Sequence, residues 1–261
     1  MKYPKKSLGQ NFLIDQNVIR KIINLISITN KNILEIGPGR GSLTNLVFKK
    51  NPKSLTLIEK DDLLSNSLKL KFNKKSKIKI FNSDILDFNL EKNLIKDTII
   101  FGNLPYNISS QILVKLIKSD WPPKFSAAIL MFQKEMADRI IAKYKSSNYG
   151  RLSILTNYRL EIVKKFNISP NCFYPKPKVT STVIFFKPKK ESIYKIKNIT
   201  NLEKITNVFF SNKRKMINKT IDKIFDRKKN KINLLNLKFS SRPAELSPEM
   251  YYQITELFEK R

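Results

Sequence analysis

From Ile33 onward, short apolar runs alternate with longer stretches whose apolar positions recur three and four residues apart. This alternation predicts repeated βα units around a parallel sheet. The runs ILEI (Ile33 to Ile36), LTLIE (Leu55 to Glu59), IKIF (Ile78 to Phe81), IIFGN (Ile99 to Asn103) and AAILMF (Ala127 to Phe132) predict five strands in order. Gln111 to Lys118 (QILVKLIK) and Lys134 to Lys143 (KEMADRIIAK) carry the helical spacing and predict helices packed on that sheet. After Leu160 the text changes to EIVKKFNI, then a turn through Pro170, Pro175 and Pro177, then VTSTVIFF from Val179 to Phe186. Two closing strands joined by a rigid loop fit it.

Beyond Lys187 the polar run KPKKES reads as a linker, and no strand-like run follows it. The expected division is a first domain over residues 1–187 and a small helical domain over 188–261. A chain of 261 residues, longer than one average domain, agrees with that division. The clearest helix start in the tail is Ser247-Pro248-Glu249, an N-cap, a proline at the first helical position and an acid in the first turn. Tyr251, Ile254 and Phe258 then share one apolar face.

Charge and composition narrow the chemistry. Fifty-one Lys and Arg against 21 Asp and Glu give a formal net charge of +30. A field of that size favours a polyanionic partner, nucleic acid ahead of an anionic membrane. Coding bias toward A and T would also enrich the abundant Lys, Asn and Ile. The single cysteine, Cys172, forms no intramolecular disulfide, and the chain has no histidine. Hydrolases built on a histidine base are thereby excluded, no zinc site of the usual kind is expected, and a reducing cytoplasm fits best. No run of 18 apolar residues and no signal-like apolar stretch occurs, so the expectation is a protein neither secreted nor membrane-spanning.

Four motifs carry candidate chemistry. In ILEIGPGRGSL, Gly37, Gly39 and Gly41 follow a strand and precede a helix, where glycines let the backbone turn tightly against a ligand. The spacing G-x-G-x-G differs from the G-x-G-x-x-G of dinucleotide binding and points to a nucleoside without a pyrophosphate. Glu59, 18 residues after Gly41 at the end of the second strand, can accept both ribose hydroxyls, and Asp84, after the third strand, can accept an adenine amino group. Either acid alone reads equally well as a solvated loop acid; together, at the ends of consecutive strands, they mark a ligand crevice. The fourth motif, GNLPYNIS (Gly102 to Ser109), closes the fourth strand. An exocyclic amine on a purine is a poor nucleophile, so acceptors must hold its N–H groups. Asn103 can supply a side-chain oxygen, Leu104, restrained by Pro105, a backbone carbonyl, and Tyr106 a ring face for stacking.

These residues, with SLGQNFLID (Ser7 to Asp15), EIGPGRGSLT (Glu35 to Thr44), SDIL (Ser83 to Leu86), FGNLPYNIS (Phe101 to Ser109), YGRLS from Tyr149 and FYPKPKVTSTV (Phe173 to Val183), resemble the small-subunit (16S-type) ribosomal RNA adenine N6,N6-dimethyltransferase family, the KsgA type. FFSNKRKMINKTI from Phe209 and RPAELSPEMY from Arg242 echo its small helical domain more weakly. The resemblance implies an α/β fold, a Rossmann-like class I methyltransferase sheet followed by a small C-terminal all-α domain. It implies S-adenosylmethionine as methyl donor, no metal, and dimethylation of adenines, two adjacent ones near the 3′ end, in small-subunit ribosomal RNA within an immature ribosomal particle. It adds Asn11 and Leu13 to the donor site of Gly37, Gly39, Glu59, Asp84 and Asn103. It also assigns Phe173 to the second face of the target adenine, opposite Tyr106. The implied protein is a cytoplasmic monomer that acts on RNA and on no membrane. Lys176 departs from the family pattern by interrupting a run of prolines. Lys213, Arg214 and Lys215 are candidates for phosphate contacts, or else a solvated helix face.

Three rivals stand beside this reading: methylation of a single adenine in large-subunit RNA, DNA adenine methylation, and an assembly factor for which methylation is secondary. DNA enzymes usually carry two prolines before the tyrosine, where this chain has Leu104 and Pro105.

Overall fold

The protein was analysed as a computed structural model that describes residues 10–190, 193–225 and 235–260. Ser7 to Gly9 of the first matching stretch and Glu191 and Ser192 of the expected linker lie outside the described residues.

In chain order the first elements are β1 (Phe12–Leu13), α1 (Gln16–Ile23), β2 (Asn32–Ile36), α2 (Ser42–Lys49), β3 (Ser54–Glu59), α3 (Asp62–Phe72), β4 (Ile78–Asn82), α4 (Leu90–Asn93), β5 (Thr98–Asn103), α5 (Ser109–Lys118), β6 (Phe125–Gln133) and α6 (Lys134–Ile140). They are followed by α7 (Arg151–Arg159), β7 (Leu160–Ile168), β8 (Phe173–Tyr174), β9 (Ser181–Pro188), α8 (Ile199–Phe210), α9 (Asn218–Ile224) and α10 (Pro248–Glu259). All five expected strands form, and the two closing strands join them in one sheet ordered β4-β3-β2-β5-β6-β9-β7. The first five are parallel, and β9 runs antiparallel to β6. Central strands such as β5 are buried along most of their length, which explains why they read as continuous apolar runs: helices cover both faces.

Helix ends follow local signals. Asp15 caps α1 by accepting from the amides of Asn17 and Val18, at 2.8 and 2.9 Å, and Ser247 caps α10 by accepting from Met250 N. The helix expected over Lys134 to Lys143 stops at Ile140.

Contacts divide the chain into two compact units. One runs to Ala137 and resumes over Glu161–Pro188; the other joins Asp138–Leu160 to the residues from Lys189 onward. The second unit therefore takes α7 as well as the tail. Its core explains why: Tyr252 Oη donates to Ile154 O at 3.1 Å, and Tyr149 Oη donates to Leu246 O at 2.9 Å. Both bonds are buried, and Tyr149 packs edge-on against Phe210. Burial pushes the Tyr149 and Tyr251 hydroxyls far above the ordinary phenol range, so they stay neutral donors. No helix among the described residues is long and apolar enough to cross a membrane.

Candidate active site

In the sheet order β2 lies between β3 and β5: the chain winds outward from β2 through β3 to β4, then crosses back to β5 on the other side of β2 and winds outward in the opposite direction to β6. Open α/β sheets bind ligands at such a switch point, outside the carboxyl ends of the strands. There the register pairs Ile36 with Gly102, which brings the glycine loop after β2 beside Asn103 at the end of β5. A cleft of ≈ 930 Å³, open to solvent, occupies this place. Of the residues singled out in the sequence, Asn11, Gly37, Gly39, Glu59, Asp84, Asn103, Leu104, Pro105 and Tyr106 all line it.

The glycine loop is built for close approach. Gly37, Gly39 and Gly41 have φ of +67°, +57° and +75°. A Cβ on Gly37 would stand 3.3 Å from the Asn103 carbonyl oxygen, and one on Gly39 would stand 2.8 Å from the Phe12 ring. A side chain at either position would fill the floor of the cleft as well as strain the backbone.

Glu59, 7% exposed, holds this loop and the next one together. Its Oε2 accepts from Gly39 N at 3.0 Å and its Oε1 from Asp61 N at 2.9 Å. Each oxygen keeps a second lone pair for a ligand hydroxyl. Burial raises the Glu59 pKa above the ordinary carboxylate range, against the lowering effect of the two amides. Asp84 is held otherwise: Oδ1 accepts from Leu86 N at 2.8 Å and Oδ2 pairs with Lys60 Nζ at 2.6 Å. Desolvation pushes the Asp84 carboxyl up, but the Lys60 bond and the Leu86 amide outweigh it and the net shift is downward. Asp84 therefore stays ionised while Glu59 is more readily protonated.

Asn103 Nδ2 donates to the Asn11 carbonyl at 2.9 Å. One of the two amide N–H groups is engaged there, and Oδ1 is the acceptor of this cleft-lining side chain. Tyr106 is fixed by a 2.6 Å hydrogen bond between its hydroxyl and Ser181 Oγ. Leu104, 2% exposed, packs beneath Gly102, where an added Cβ would come within 2.6 Å of Leu104 Cδ2. These restraints fix the Asn-Leu-Pro-Tyr segment before any ligand arrives, which is the condition for catalysis by positioning.

Leu13 and Phe173 do not line the cleft. They are cross-strand partners in the β1–β8 ribbon and lie in the hydrophobic core at 4% and 3% exposure. Sequence reasoning also passed over Gln10, Phe12, Lys60 and Asn107, which do line it. The seat of Lys60 depended on Asp84, 24 residues away, and no local pattern contains it.

The donor set suits an adenine nucleoside: carboxylates for hydroxyl and amino donors, a side-chain-free loop, and Ile36, Ile58, Leu64, Ile85 and Ile108 as apolar walls. No cluster of His, Cys, Asp and Glu able to hold a metal occurs among the described residues.

A neighbouring acid has a different role. Glu35 in β2 is 3% exposed and accepts from Thr44 Oγ1 at 2.7 Å, tying the strand to α2 across the glycine loop. Burial, far more than the charge of Glu59, lifts its pKa from 4.5 to about 8. An acid whose pKa is raised by folding contributes stability that is complete below 4.5 and is lost as the pH climbs through about 8. A shift of this size corresponds to a few kcal/mol, on the order of 1.4 kcal/mol per pH unit. Unfolding free energy is therefore expected to decline between pH 5 and pH 9, and Glu35→Gln, which keeps the acceptor oxygen, to flatten that decline. Denaturant titrations at several pH values measure both, and parallel slopes for the two proteins would refute the assignment.

Comparison with known proteins agrees with this geometry. The chain is 46% identical over 259 residues to a ribosomal RNA small subunit methyltransferase A of Pelagibacter ubique, covering 98% of this chain and 97% of that protein. A protein of the same description from Mycoplasma mobile is 41% identical, covering 95% of each chain. Among solved structures, a dimethyladenosine transferase from Plasmodium falciparum superimposes with a TM-score of 0.80 at 26% identity, covering 95% of this chain and 98% of that one. The model of one family, described as ribosomal RNA adenine dimethylase, matches residues 1–260, and the chain belongs to that family.

Proposed function

We propose that this protein transfers methyl groups from S-adenosylmethionine to the N6 amino group of adenine in small-subunit ribosomal RNA, two methyls to each target adenine. The reading rests on Asn103: its amide is oriented by the Asn11 carbonyl so that Oδ1 is presented as an acceptor beside the glycine loop and Glu59.

The donor, when bound, supplies an activated methyl group; the N6 lone pair forms the new N–C bond as the S–C bond breaks, sulfur keeps its electron pair, and the proton leaves to solvent. Everything else falls to the chain. Glu59 is placed for the ribose hydroxyls and Asp84 for the donor's adenine, while Gly37 and Gly39 let the ligand approach the backbone. Asn103 Oδ1 and the Leu104 carbonyl accept from the target amine and aim its lone pair. Tyr106, anchored through Ser181, offers a ring face to the base once it leaves its helix or loop, at a cost of a few kcal/mol that stacking offsets. No imidazole is needed, because the methylated ammonium loses its proton unaided and catalysis is positioning and electrostatics. A second stacking face from Phe173, as the family resemblance implies, requires that β8 release this ring from the core.

Within this reading the first unit is the donor-binding domain, and the second, with Lys213, Arg214 and Lys215 exposed, contacts RNA of an immature particle in the cytoplasm. Transfer of labelled methyl to undermethylated small ribosomal subunits, with large subunits and DNA in parallel, tests the function. Dimethyladenosine confined to the small subunit is expected. Label confined to the large subunit or to DNA would overturn the substrate, and binding without transfer would leave an assembly factor.

A further inference from the structure

The β1–β8 ribbon has two unlike faces. Directly paired residues of adjacent strands point to the same side, and the next pair points to the other. Leu13 and Phe173 form one pair and are buried in the core. Phe12 and Tyr174 form the other pair, on the opposite face. Phe12 lines the cleft, whereas Tyr174 is 46% exposed.

Arg40 joins these two rings. Its guanidinium carbon lies 4.7 Å from the centroid of Phe12 and 5.6 Å from that of Tyr174, within cation–π range of both. The adjacent Gly39 lets the loop press directly against the Phe12 ring. Tyr174, Arg40 and Phe12 therefore form a continuous ledge from solvent to the wall of the cleft. The outer residue stands outside the buried core cluster with nearly half of its surface open to solvent. Arg40 lies over its ring and orients it beside a site that, on this reading, receives a nucleic acid.

We propose that Tyr174, backed by Arg40, stacks a nucleobase that flanks the target adenine in the RNA chain. The proposal rests on reading the cleft as an RNA adenine methylation site. The ligand is an unpaired base, recognised through its π-face irrespective of sequence. Drawing a base out of a helix or loop unstacks its neighbours, and an aromatic at the rim recovers one of those stacking contacts outside the pocket. The ledge thus acts on RNA capture and on register, separately from the donor contacts of Glu59 and Asp84.

The test compares wild type with Tyr174→Ala, Tyr174→Phe and Tyr174→Trp in methyl transfer to undermethylated small subunits, together with direct binding of those subunits without donor. Base–aromatic stacking of ordinary strength predicts about a tenfold rise in KM and Kd for subunits in Tyr174→Ala. Phe and Trp, which keep a ring face, restore both, and donor affinity and melting temperature follow wild type in all three. Unchanged subunit affinity in Tyr174→Ala overturns the proposal, as does failure of Phe to restore it. Equal losses in donor and subunit binding would assign Tyr174 to packing and overturn it too. A wild-type protein that transfers no methyl would sink the functional reading alone; the binding comparison would still decide the ledge.

Discussion

Asn103→Ala is expected to lower kcat by about a thousandfold while the donor Kd moves by no more than a few fold. The physical basis is the asymmetry of the Asn103 amide. Its nitrogen donates to the Asn11 carbonyl, which fixes the plane of an amide at a cleft-lining position and leaves the oxygen as its acceptor. An N6 amine conjugated to its ring becomes a competent nucleophile only when its N–H groups are held and its lone pair is turned out of the ring system. That interaction strengthens as positive charge develops on nitrogen, so its loss appears in kcat rather than in ground-state binding. Asn103→Asp separates two components: it keeps an acceptor but loses the donor that Asn11 requires. Its activity should fall between wild type and alanine. Single-turnover rates with saturating donor and RNA are the measurement, and a rate within threefold of wild type for the alanine variant would remove Asn103 from the chemistry.

Glu59→Ala is expected to weaken donor binding at least a hundredfold. Two losses combine there. The carboxylate no longer meets the ribose hydroxyls, and the amides of Gly39 and Asp61 are left in a buried place without their acceptor, each at about 1–3 kcal/mol. Loosening Gly39 also disturbs the loop that carries Arg40 and packs against Phe12. The pH dependence carries a second signature. Burial raises the Glu59 pKa, so protonation sets in at a higher pH than for an ordinary carboxylate, and each protonation removes an acceptor. Donor affinity should therefore weaken as the pH falls through that raised pKa, and the weakening should be absent in Glu59→Gln, which binds poorly throughout. Calorimetric titration across pH with wild type and both variants reads this directly. A wild-type affinity independent of pH, with Gln matching it, would show that Glu59 only holds the loop.

Four of the five parallel strands were legible because burial covers most of their length and demands a dense apolar run, whereas β4, at the sheet edge and only partly covered, showed itself through the broken run IKIF. The cleft-lining segments were legible because their requirements are local: positive φ at Gly37 and Gly39, an acid closing β3 and another two residues past β4, and Asn-Leu-Pro-Tyr beginning at the last residue of β5. Short-range steric and hydrogen-bonding rules link such residues to their own backbone. The passage of α7 into the second unit was not legible, because it follows from partners about a hundred residues away, such as Tyr252 at Ile154 O and Leu246 at the hydroxyl of Tyr149 just before the helix.

Phe173 and its neighbour show the same limit at a single strand. The sequence by itself determined that an aromatic pair precedes the proline turn and that two carboxylates and a glycine loop sit at the ends of neighbouring strands, where the structure has a cleft. Only the tertiary structure decided which aromatic meets the core and which meets solvent. Pairing of β8 with β1 sets that register, and in a strand a shift of one residue exchanges the two faces. The Lys60 bond to Asp84 and the orientation of the Asn103 amide by Asn11 were decided in the same way. Each needs a partner that folding brings within about 3 Å and that lies beyond the reach of any local pattern.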